Sequence, residues 1–190
     1  MNIGPYSFEE YVAKVKSFHG NLAPGMLIGG LMVDQAIRLI PAGEIYDALS
    51  ETSACLPDAI QLLTPCTTGN GWLKVIDLGR FALALHDKVE GKGVRVFLDY
   101  KKVSAWPEIL AWYMRLVPKK EQNLQRLIDE IREAGSEIYG HQEVILQPRF
   151  YEKKIKGLPV VPCPSCGEAY PAQHGPLCRA CQGDSPYQVL

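Results

Sequence analysis

Two cysteine pairs, Cys163-Pro-Ser-Cys166 and Cys178-Arg-Ala-Cys181, constrain this chain more than any other feature. The spacing C-x2-C-x11-C-x2-C brings four thiolates to one tetrahedral centre and fills every position with sulfur, the pattern of a structural zinc site with none left open for substrate. Gly167 and Gly183 follow the second cysteine of each pair, where a knuckle needs unusual backbone angles. A segment of this size has too little apolar material to fold alone, so metal binding worth about 10–16 kcal/mol in comparable peptides would carry its folding. A pair of disulfides is the alternative. It is disfavoured because the start of the chain, Met1-Asn2-Ile3-Gly4-Pro5-Tyr6, has no basic segment or apolar run of a secretory signal. A reducing, cytoplasmic setting is therefore expected. His174 lies between the pairs but is surplus beside four cysteines.

The rest of the chain supports one ordinary domain, giving an expected division into a core over residues 1–150 and a linker with the zinc ribbon over 151–190. Ser7 and Glu10 form a capping box ahead of Phe8, Tyr11, Val12, Val15 and Phe18 at helical spacing, and Gly20 stops that helix. Pro24 suits the first position of a second helix running to about Ile40, apolar on both faces and therefore central. A strand at Tyr46–Thr52 and a short helix at Asp58–Leu63 follow. Strands at Leu73–Leu78, Phe81–Val89 and Val94–Tyr100 are expected as an antiparallel meander, with Glu90-Gly91-Lys92-Gly93 as a hairpin connection. Helices over Pro107–Leu116 and after Pro118, and a last strand at Glu143–Leu146, complete an α+β class: helices packed on an antiparallel meander, then a small zinc-ribbon domain.

A second polar constellation sits between the first two helices, where His19 and Asn21 precede a helix N-terminus that favours anions or a thiolate. Cys55 stands near the start of the third helix, where thiol pKa values tend to fall, and Cys66 beyond its end. Spacing alone does not bring His19 to these cysteines. The bland reading makes His19 a helix-end residue and both cysteines packing residues.

The segments Phe18-His19-Gly20-Asn21-Leu22-Ala23-Pro24-Gly25, Cys55-Leu56-Pro57-Asp58-Ala59-Ile60-Gln61 and Cys66-Thr67-Thr68-Gly69-Asn70-Gly71 together resemble the FmdE component of formylmethanofuran dehydrogenase and its relatives. The resemblance extends from about Phe8 to Cys181 and includes Gly91-Lys92-Gly93-Val94-Arg95-Val96. It implies an α+β core, homodimers, and a polar metal-binding cavity made from the histidine and cysteine motifs. It also implies an association with a molybdenum or tungsten enzyme whose redox chemistry belongs to other subunits. Asn21 and Ala23 stand where the family carries a histidine and a cysteine, which removes two soft-metal ligands and leaves His19, Cys55 and Cys66 for a possible second metal ion.

The leading expectation is an accessory or small-ligand-binding protein of anaerobic one-carbon and redox metabolism, meeting a small molecule or redox-enzyme subunits. One rival is a metal-dependent enzyme using His19, Cys55 and Cys66. The other is a regulatory protein contacting a partner or nucleic acid through the ribbon. Nucleic acid is disfavoured, because the net charge is −1 and the basic run Arg149, Lys153, Lys154, Lys156 reads as a solvated linker. His86 is expected at a surface or interface. Trp106, Trp112, Tyr113 and Met114 suit either a dimer face or core packing. No stretch is long and apolar enough to span a membrane.

Overall fold

The structure, a computed structural model, describes residues 1–41, 43–151 and 159–187. The chain divides into two compact units, Met1–Tyr151 and Glu152–Leu190. The expected linker over Tyr151–Gly157, with Lys153, Lys154 and Lys156, lies beyond Tyr151 outside the described residues.

The first unit is organised around one apolar helix. A small hairpin of β1 (Asn2–Ile3) and β2 (Tyr6–Ser7) leads into α1 (Phe8–His19). Both halves of the capping box form there, and Gly20 closes the helix at φ 80°. Next, α2 (Pro24–Leu39) is buried at every position from Gly25 to Val33. A glycine pair explains how neighbours come so near. A Cβ on Gly30 would collide with the Tyr11 hydroxyl, which donates to the Met26 carbonyl, while a Cβ on Gly29 would meet that of Ala59 at 3.0 Å. Tyr139 repeats the arrangement from the sheet, donating its buried hydroxyl to the Ile28 carbonyl at 2.7 Å.

The remaining elements are β3 (Tyr46–Ser50), α3 (Leu56–Leu63), β4 (Leu73–Val75), β5 (Ala82–Asp87), β6 (Lys92–Leu98), α4 (Tyr100–Val103), α5 (Pro107–Tyr113), α6 (Leu124–Ala134), β7 (Tyr139–Ile145) and α7 (Pro148–Tyr151). The sheet order is β4-β3-β5-β6-β7, and α2 packs on the face carrying Leu83, Leu85, Val94, Val96 and Leu98. Fold class is the expected α+β, but the sheet is mixed. The Leu73 strand pairs parallel with β3 (Ala48↔Leu73) instead of antiparallel with β5, and β3 slots between them (Leu49↔Ala84). A helix between β3 and β4 returns the chain in the same direction, which a hairpin cannot do. The last strand is longer than Glu143–Leu146, because Tyr139 to Ile145 all pair with β6.

His86 is not a surface residue: it is 1% exposed, its Nδ1 bonds the Asp87 carbonyl at 2.8 Å, and the Tyr151 ring lies against it. The Lys74 ammonium donates to the Phe150 carbonyl and holds α7 there. Asp87 organises the hairpin, accepting from the backbone N–H groups of Val89, Glu90 and Lys92.

In the second unit β8 (Val160–Pro162) pairs antiparallel with β9 (Ala169–Pro171), and short 3-10 turns follow at Ala172–His174 and Ala180–Gln182. Tyr170, Val161 and Leu177 pack with Cys163 and Cys178 in a core of very few side chains.

Candidate functional site

Four cysteine sulfurs in the second unit lie within 4.8 Å of one another. Cys166 and Cys178 stand 3.8 Å apart, about the edge of a tetrahedron with Zn–S bonds of 2.3 Å. Gly167 (φ 79°) and Gly183 (φ 107°) take the left-handed angles their knuckles require. The backbone N–H of Cys178 points at the Cys163 sulfur at 3.5 Å, and such donors, with that of Cys166 next, pull the Cys163 thiol down to about 6. Sulfur-only donors at this separation fit zinc, and Cys163, Cys166, Cys178 and Cys181 would hold it. His174 takes no part in that group; its carbonyl accepts from Gln182.

The core residues proposed from sequence separate into three places. His19 Nδ1 bonds Asp58 Oδ2 at 2.7 Å, tying the end of α1 to the first turn of α3. Cys66 is fully buried beyond the other end of α3, where its sulfur donates to the Tyr46 carbonyl at 3.5 Å and burial pushes its thiol up. Asn21 and Cys55 line a cleft of about 1130 Å³. Among the described residues the tail cysteines are the one group of three or more His, Cys, Asp or Glu side chains placed to hold a metal. His19, Cys55 and Cys66 form no such group.

Three connections and one helix N-terminus build the cleft: residues 21–25 leading into α2, 52–55 between β3 and α3, 77–81 between β4 and β5, and 112–124 around the end of α5. Asp77 ties two of them, accepting from the Ser53 hydroxyl at 2.6 Å and the Gly79 N–H at 3.0 Å. Glu51 ties a third. Its carbonyl accepts from the N–H groups of Leu78 and Arg80. Its carboxylate, 4% exposed, takes two bonds from Arg95 (2.5 and 2.8 Å) and one contact from Arg80 Nε at 2.8 Å. Burial alone would raise this carboxyl; the two guanidiniums reverse that and hold it below its ordinary range. Trp112 stands between Phe81, edge-on at 6.1 Å, and Tyr113, stacked at 6.4 Å, giving one wall an aromatic surface.

Backbone strain concentrates here. Among the described residues the two non-glycine residues with positive φ are Cys55 (53°) and Arg115 (54°), and both line this cleft. Cys55 is the centre of a γ-turn: φ 53°, ψ −45°, with the Leu56 N–H on the Ala54 carbonyl at 2.5 Å, the rarer strained form. Gly25 makes room, since a Cβ there would sit 3.0 Å from the Cys55 sulfur. Arg115 occupies the left-handed position of a Schellman motif, with Leu116 N–H on Ala111 O and Arg115 N–H on Trp112 O, where glycine is usual. The Cys55 thiol is not activated by the helix start. Burial and the Asp58 carboxylate push it up, against a smaller pull from Lys119. Arg80, Glu51, Asp77 and Arg115 were not singled out from sequence. A glutamate closing the strand Tyr46-Asp47-Ala48-Leu49-Ser50 was the available signal of a buried charge needing partners.

Fold and sites together define a class: an α+β domain carrying a ligand-sized cleft, followed by a four-cysteine zinc finger. The family described as "FmdE, Molybdenum formylmethanofuran dehydrogenase operon" matches residues 18–146, and the chain belongs to it. A second description, "FmdE treble clef zinc finger", matches residues 154–188, so the small zinc domain expected from the four cysteines is of the treble clef kind. The crystal structure of a tungsten formylmethanofuran dehydrogenase FmdE-like protein from Syntrophus aciditrophicus is 57% identical, with 98% of each chain covered and a TM-score of 0.91. A "Probable S-adenosyl-L-methionine-binding protein" of Archaeoglobus fulgidus is 29% identical across 93% of this chain. The match takes in 53% of that protein, so the chain spans about half its length.

Proposed function

We propose that this protein binds a small molecule in the cleft around Cys55 and Trp112, while the zinc finger is structural. The carrying observation is that both strained non-glycine residues line that one cleft. Such strain costs about 1–3 kcal/mol per residue and collects where function needs a fixed geometry. A concave site walled by aromatic side chains, with a few polar groups, is the usual form of a ligand pocket. The ligand in the archaeal relative's name is weak support, because nearly half of that protein lies outside the match. An accessory role beside a molybdenum or tungsten formylmethanofuran dehydrogenase, in a reducing cytoplasm, belongs to the same proposal, and the names of the family and of the solved relative support the association with that enzyme. A homodimer is part of the same proposal, with exposed Met114, Leu116 and Leu124 as candidate apolar contacts. Scattering of the purified protein at one chain's mass would dismiss it.

The test uses Cys55 as a reporter already inside the cleft. A thermal-shift screen of charged and neutral metabolites should yield a compound that raises the unfolding midpoint and slows alkylation of Cys55, read by mass spectrometry. A stabilising compound that leaves Cys55 alkylation unchanged would place binding elsewhere and defeat the reading. Elemental analysis addresses the metal-enzyme rival: one zinc per chain is expected, and a second ion lost on His19→Ala would revive it.

A further inference from the structure

We infer that the cleft selects a ligand combining a planar unsaturated ring with an anionic group, a carboxylate or a phosphate. This inference rests on the cleft being a ligand site. Its charge is the first argument. Arg80, Arg115 and Lys119 line the cleft against a single acidic side chain, Asp77, in a chain whose net charge is −1. A local excess of cations in a concave region with apolar walls concentrates field on whatever occupies it.

The arginines are also prepared for an anion. Arg80 is oriented before any ligand arrives, because its backbone N–H and its Nε both rest on Glu51, itself fixed by Arg95. With Nε engaged and 58% of the side chain exposed, the terminal nitrogens of the fork remain for a bidentate partner. Surface pairing does not explain the arrangement, since Glu51 is buried and already doubly bonded by Arg95. Arg115 gives an independent sign. A Schellman position favours glycine, and an arginine held there at φ 54° on the cleft wall is unfavourable for the fold alone. The N-terminus of α2 opens on the same space, and its N-cap, Ala23, supplies no side-chain acceptor to the first turn. Its positive end adds to the same attraction.

The ring follows from the aromatic lining. Phe81, Trp112 and Tyr113 form a continuous aromatic surface, and Gly25 keeps the floor beneath Trp112 low, a Cβ there reaching its ring at 3.5 Å. A volume of about 1130 Å³ accommodates a ligand of mononucleotide size.

The experiment is calorimetric titration with two ring-bearing anions, adenosine 5′-monophosphate and 1-naphthoate, each beside its neutral counterpart, adenosine and 1-naphthamide. Cys55 alkylation is followed in parallel. At least one anion is expected to bind at least tenfold more tightly than its counterpart and to protect Cys55; which one does so separates phosphate from carboxylate. Arg80→Gln with Arg115→Gly should abolish that preference, and Trp112→Leu should weaken the anion without abolishing it. Circular dichroism confirms that each variant is folded. Equal binding by neutral and charged members, with Cys55 protected, would overturn the inference and leave the cleft reading standing. A preference that survives the double arginine variant would overturn it too, as would no binding by all four; the broader metabolite screen then decides the cleft reading separately.

Discussion

Cys55 and Arg115 are held in left-handed backbone conformations that side chains disfavour. Cys55 combines a strained turn with a thiol that burial and Asp58 hold protonated. Its alkylation rate at neutral pH should therefore be low and rise with a midpoint above that of an ordinary thiol. Asp58→Asn removes a charge that opposes ionisation, so that midpoint should fall and the neutral-pH rate increase; an unchanged profile would refute the electrostatic account. Arg115→Gly tests the other residue. Relief of a left-handed non-glycine conformation is worth about 1–3 kcal/mol, and the added freedom of glycine in the unfolded chain takes back about 0.4–1 kcal/mol. Urea denaturation should show a variant as stable as the parent, or more stable by about 1 kcal/mol. A clear loss would mean that Arg115 holds the fold together.

Elements whose instructions are local were legible in the sequence. The Ser7–Glu10 box, Pro24 at the start of α2 and Gly20 after α1 each use neighbours a few residues apart, and so does the β5–β6 hairpin, although its turn spans 88–91 and Lys92 and Gly93 of the expected connection belong to β6. What the sequence did not disclose depends on distant partners. Leu73 chooses β3 over β5 because α3 turns the chain back, and Arg80 and Arg95 meet Glu51 only once the sheet exists. The site was half visible for the same reason: Cys55 and Asn21 face the cleft, while Cys66 went to the far end of α3. His86 shows the same limit, since strand alternation cannot reveal that α7 folds back over it. That burial has a consequence for pH. Desolvation lowers the imidazole below its ordinary 6.5, outweighing the opposing Asp87 carbonyl and Asp47 carboxylate. In the window just under pH 6.5 the unfolded chain binds a proton that the folded one does not, so stability falls with falling pH there. The slope of the unfolding free energy across that window should be smaller in His86→Gln, and identical slopes would exclude His86 as its source.

At the scale of the whole molecule, two units are stabilised by different physics. Residues up to Tyr151 bury a continuous core in which α2, the sheet and the Tyr11 and Tyr139 hydroxyls secure one another. Beyond residue 158 the apolar cluster amounts to Tyr170 and a few neighbours of the cysteines, too little to offset the ordering of a chain that short. Zinc held by the four cysteines would supply the difference, and thiolate ligands would make that contribution pH-dependent and sensitive to chelators. Exhaustive chelation under reducing conditions should therefore unfold the second unit and leave the first intact. In two-dimensional NMR, amide peaks of residues 159–187 should collapse to random-coil positions while those of Tyr11, Ile28 and Tyr139 stay dispersed. Cys178→Ser should give the same spectrum without chelator and reduce bound zinc to well under one ion per chain. Loss of dispersion throughout the spectrum would mean that the core depends on the metal as well, and the division of labour between burial and coordination would be wrong.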